Sequence, residues 1–95
     1  MSSYKTEIIL KGEFTTIDVF LEGIEIPLTE INDNEYYRSY SAFTIENPLD
    51  IHVRLKGWTG MQWFFKVKID GHEAFSKNGV FDHKGFVTFT ESISI

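Results

Sequence analysis

The chain has 95 residues, 42% hydrophobic and 16% aromatic, which is material for one domain, and its nine phenylalanines supply most of the aromatic bulk. The absence of cysteine excludes disulfides and thiolate chemistry. A net charge of −5, with Arg54, Lys56, Lys66 and Lys68 as the only basic run, argues against a nucleic-acid surface, and no apolar run reaches the ~18 residues of a membrane span.

In chain order, the first expected strand is Tyr4 to Lys11, with Thr6, Ile8 and Leu10 on one face. Side chains on a strand alternate between its faces, so every second residue shares one environment. The second is Phe14 to Glu22, turning Ile17, Val19 and Leu21 inward. Glu22-Gly23 then reads as a hairpin turn, opposing Leu21 to Ile24, Val19 to Ile26 and Ile17 to Leu28. Pro27 has no N–H to donate, which places this third strand at a sheet edge. Glu30 to Glu35 reads as a polar loop, and Tyr36 to Glu46 as a fourth strand ended by Asn47-Pro48.

Leu49 to Asp70 is the centre of the pattern. Leu49, Ile51, Val53 and Leu55 alternate with polar residues, and Trp63, Phe65, Val67 and Ile69 repeat the alternation after Gly57-Trp58-Thr59-Gly60-Met61. As hairpin neighbours these two strands pair Leu55 with Trp63 and Asp50 with Lys68; as an arch, the chain crosses from one sheet to the other and the same residues stay inside. Asp70-Gly71 and Asn78-Gly79 both read as type I′ turns, the first opposing Val67 to Ala74 and Lys66 to Phe75. A further turn at His83-Lys84-Gly85 leads into Phe86 to Ile95, with Val87, Phe89, Ile93 and Ile95 on one face.

Eight or nine short strands, regular turn signals and no helical period indicate an all-β protein, an antiparallel β-sandwich of immunoglobulin-like or jelly-roll-like type. A small barrel is the second choice. The Cys–Trp–Cys pattern of true immunoglobulin domains is missing.

Chemistry is thinly supplied. No G-x-S-x-G surrounds any serine, no Gly-rich phosphate loop precedes a helix, and Asn32-Asp33-Asn34-Glu35 lacks the spacing of a calcium loop. With one hairpin at Asp70-Gly71 and another at Asn78-Gly79, the turn at 83–85 returns to the first end, which makes a His72–Asp82–His83 metal cluster geometrically available. The plainer expectation is solvated turn residues, with no metal, no cofactor and no enzyme activity.

Recognition remains. In the hairpin register Phe64 lies opposite Arg54 and diagonal to Phe75, so His52, Arg54, Phe64, Lys66 and Phe75 form a mixed aromatic and basic face suited to a protein partner. Self-association through an edge strand is the other form of such assembly. Trp58, with Thr59 and Met61, lies on a loop between two glycines, the alternative site, for a carbohydrate or small ligand; its bland role is to fold over the end of the core. With no apolar leader near Met1, a cytoplasmic location is the default expectation, and export by another route stays open.

Overall fold

The computed structural model describes residues 2–95 and contains nine strands in two antiparallel sheets. The strands are β1 (Ser2–Lys11), β2 (Phe14–Leu21), β3 (Ile24–Glu25), β4 (Thr29–Asn32), β5 (Glu35–Ile45), β6 (Leu49–Gly57), β7 (Gln62–Ile69), β8 (His72–Val80) and β9 (Phe86–Ile93). One sheet runs β4-β5-β1-β7-β8 and the other β3-β2-β6-β9, so the chain is a β-sandwich.

The alternation in the sequence becomes the core. Ile8 and Leu10 of β1 and Phe65 and Val67 of β7 face Val19 and Leu21 of β2 and Ile51, Val53 and Leu55 of β6, and all are buried. Glu22-Gly23 and Asp70-Gly71 turn with φ of 54° and 74°, and of 50° and 81°, the positive values that a tight hairpin between twisted strands requires. Leu21 pairs with Ile24 as expected, but Ile24 points to solvent at the edge while Ile26 is buried.

Four expectations change. First, β6 and β7 are not hairpin neighbours: β6 lies between β2 and β9, β7 between β1 and β8. The 58–61 connection is the arch. It sets the two apolar rows face to face across the core, where a hairpin would have set them side by side, and the Asp50–Lys68 pairing is lost. Second, Asn78-Gly79 is not a turn but the interior of β8. Gly79 opposes Trp63, and a Cβ there would come within 3.0 Å of the indole, so this glycine makes room for a ring. Third, a bulge between Val67 and Lys68 shifts the β7–β8 register by one residue, setting Phe75 opposite Val67. A one-residue slip exchanges the faces of a strand, which turns Phe75 inward. Fourth, part of the expected polar loop is strand: β4 pairs with β5 around a turn at Asn34, where φ is 60°.

Candidate functional site

The face expected from the hairpin register does not form as one surface. His52 and Arg54 lie on the outer face of the β3-β2-β6-β9 sheet, Phe64 and Lys66 on the outer face of the other, and Phe75 packs between the sheets. The Phe75 ring sits 6.2 Å from Phe65 and 6.1 Å from Phe89, centroid to centroid. The arch separates the first two pairs, and the bulge removes the fifth residue.

The groups left on each outer face already have partners. His52 Nδ1 is 2.7 Å from the Thr90 hydroxyl, its ring lies 6.0 Å from Phe20, and Arg54 Nε sits 3.4 Å from Asp18. On the opposite sheet Lys66 lies 3.5 Å from Glu73, and its ammonium is 5.4 Å from the Phe64 ring centre. Tyr37 donates a 2.8 Å hydrogen bond to Glu7. That bond, helped by burial and the Glu7 charge and opposed by Ser39, raises the Tyr37 phenol above its ordinary value. Burial, then the nearby Glu30 carboxylate, does the same for Tyr36.

The histidines of the expected metal cluster lie apart. Because β8 runs uninterrupted from His72 to Val80, His72 and the turn containing His83 fall at opposite ends of that strand. Asp82 is used locally: its carboxylate accepts from the Lys84 N–H at 2.9 Å and its carbonyl from Gly85 at 3.0 Å, which builds the turn. Among the described residues no three His, Asp or Glu side chains converge as a metal site requires.

The Trp58 end is built differently. Three backbone hydrogen bonds fasten the arch to the segment leading into β9: Gly57 N–H to Gly85 O at 3.0 Å, Gly60 N–H to Phe81 O at 2.8 Å, and Phe81 N–H to Met61 O at 3.0 Å. A fourth, from Met61 N–H to Trp58 O at 3.1 Å, closes the loop on itself. Beneath it the core is stoppered by Phe81, 1% exposed, whose ring meets Phe14 edge-on at 6.0 Å; Phe14 meets Tyr36 in the same way at 5.9 Å. Gly57 allows this closure, since a Cβ there would run into the Phe81 ring and lie 2.7 Å from the Glu13 carbonyl.

With Phe81 in that position, Trp58 is not needed as a lid. It is 59% exposed, and Met61, Val80 and Phe86 are exposed on the segments bonded to it or next to them. Thr59 is exposed as well. The sequence gives Val80, Phe81 and Phe86 no site role: a turn at Asn78-Gly79 makes Val80 and Phe81 ordinary strand residues, and Phe86 opens the last expected strand.

Residue by residue, this is a small two-sheet β-sandwich with a fastened apolar end. No family model matches the chain, and neither curated proteins nor solved structures gave a match.

Proposed function

We propose that the protein is a non-enzymatic recognition module that docks on a protein partner through its Trp58 end. The observation that carries this is the exposure of Trp58 on a loop pinned by backbone hydrogen bonds, above a core already closed by Phe81. A tryptophan kept in water has a desolvation gain in reserve, and Trp, Met and Phe are the residue types enriched where interfaces are fully buried. Pinning the loop beforehand removes part of the ordering cost of binding.

A flat partner suits this end better than a small ligand. The depressions of about 500, 380 and 370 Å³ are lined by none of Trp58, Thr59 and Met61. Small ligands favour concavity and protein partners tolerate its absence.

The test compares affinity capture from the native extract by wild type, Trp58→Ala and Arg54→Ala. A species held by wild type and by Arg54→Ala, and weakened by about 2 kcal/mol or more in Trp58→Ala, supports the reading. Melting should place Trp58→Ala within about 0.5 kcal/mol of wild type, because the side chain is outside the core. Capture that survives in Trp58→Ala and fails in Arg54→Ala would move the site to the opposite sheet face.

A further inference from the structure

The groove of about 500 Å³ lies on the outer face of the β4-β5-β1-β7-β8 sheet and borders the Trp58 end at Val80, with Trp58, Thr59 and Met61 outside its lining. Lys11, Gln62, Phe64, Asn78 and Val80 line it. Strand registry explains the grouping: Lys11 opposes Phe64 across β1 and β7, Phe64 opposes Asn78 across β7 and β8, and Gln62 opposes Val80. Gly12, which also lines it, has φ of 142° and packs closely: a Cβ there would lie 2.8 Å from the Phe14 ring and 3.0 Å from the Gln62 backbone carbonyl.

The lining is specific in kind. Its one charged side chain, Lys11, is largely exposed and lies 3.8 Å from Glu35, a weak surface pair. A charged ligand therefore gains little: an anion competes with the Glu35 carboxylate and a cation meets the Lys11 ammonium. Gln62 and Asn78 each offer a carboxamide, a group that donates and accepts, as a hydroxyl does. The Lys66 ammonium lies 5.4 Å from the Phe64 ring centre, but Lys66 does not line the groove, whereas Phe64 does. Trp63, between Gln62 and Phe64, borders the groove too; its buried indole Nε1–H has no acceptor among the described residues. The volume falls in the range of small-molecule sites, roughly 300–1,000 Å³.

We propose that this groove binds a neutral pyranose sugar, its C–H face against Phe64 and its hydroxyls between the carboxamides of Gln62 and Asn78. The pairing rests on chemistry each side can satisfy: an apolar ring face buries against an aromatic one, and each hydroxyl finds both a donor and an acceptor.

The experiment is an NMR titration of ¹⁵N-labelled protein with glucose, galactose, mannose and N-acetylglucosamine, each carried to about 50 mM, a range set by the expected affinity. At least one sugar should give saturable shifts in the Gln62 and Asn78 side-chain amides and the Trp63 indole N–H, with a dissociation constant of about 1–10 mM, as suits one ring on an open groove. Phe64→Ala should weaken that binding at least tenfold. Gln62→Ala, a surface change that spares the fold, should weaken it several-fold, and Trp58→Ala should leave it unchanged. That last variant separates this site from protein docking. The proposal is overturned if no sugar gives a saturable shift, if Phe64→Ala and Gln62→Ala both bind as wild type does, or if the shifts gather at Trp58.

Discussion

Gly57 shows how much one missing methyl group decides. It stands opposite Phe14 at the end of β6, and the space its Cβ would fill holds the Phe81 ring. Gly57→Ala should cost about 1–3 kcal/mol, as overpacking does, read as a lower midpoint in urea unfolding. An unchanged midpoint would mean that Phe81 does not close this end. Tyr37 gives a second residue-scale expectation, and this one depends on pH. Its phenol must be protonated to donate to Glu7, and its pKa lies above the ordinary 10.0 in the folded protein. The stabilisation from this group is therefore complete below pH 10 and is lost as pH rises through the higher folded value. Tyr37→Phe should cost about 1 kcal/mol at neutral pH. The gap to wild type should close in alkaline solution; a gap that widens there would reverse the sign of the argument.

Among the strands, the two long sheet edges β8 and β9 are the most exposed to unwanted pairing. An open edge offers a row of unpaired N–H and C=O groups to any other strand. Each of these edges turns one charge toward the core side. Lys77 opposes Phe65 and holds its ammonium 5.2 Å from the Phe89 ring; Glu91 opposes buried Ile51. Pairing two such edges would bury these charges, which is costly, so they guard the sandwich. Lys77→Val combined with Glu91→Val should associate more than wild type at equal concentration in sedimentation velocity. Equal sedimentation of the two proteins would show that the edges are protected by something else, the β7–β8 bulge first among the candidates.

Taken as a whole, the molecule is joined mostly by pairings distant in sequence. β1 lies between β5 and β7, so its residues bond to β5 partners 24 to 43 positions later, and Thr6 to Lys11 also to β7 partners 53 to 63 positions later. The entropy of closing such loops must be met before the contacts reward it, so refolding should fall in the roughly millisecond-to-second range of all-β proteins. Stopped-flow tryptophan fluorescence would measure it, with buried Trp63 as the reporter. A microsecond phase that accounts for the whole amplitude would contradict this topology. The Cα radius of gyration, 13.1 Å, is close to the ~12–13 Å expected of a compact chain this long.

The two alternating rows around the 58–61 connection were legible in the sequence, and so were the strand faces carrying Ile8, Leu10, Val19, Leu21, Phe65 and Val67. Strand periodicity is a local property of the chain, and burial on one face follows from it. The Glu22-Gly23 and Asp70-Gly71 turns were legible because Gly supplies positive φ at no steric cost, and the turn imposes it on Glu22 as well. Beyond the β2–β3 and β7–β8 hairpins, which strand bonds to which was not. Hairpin and arch bury the same side chains, so periodicity could not choose between them, and the choice alone moved Arg54 to the sheet opposite Phe64. A bulge leaves no mark in the alternation either, yet it took Phe75 from the surface into the core. Asn78-Gly79 carried a local turn signal that was overruled by the Trp63 indole, which needs the bare backbone of Gly79 opposite it. Local rules thus determined what is inside; the packing of distant segments determined what is left outside together, and that is where Trp58 and the Phe64 groove belong.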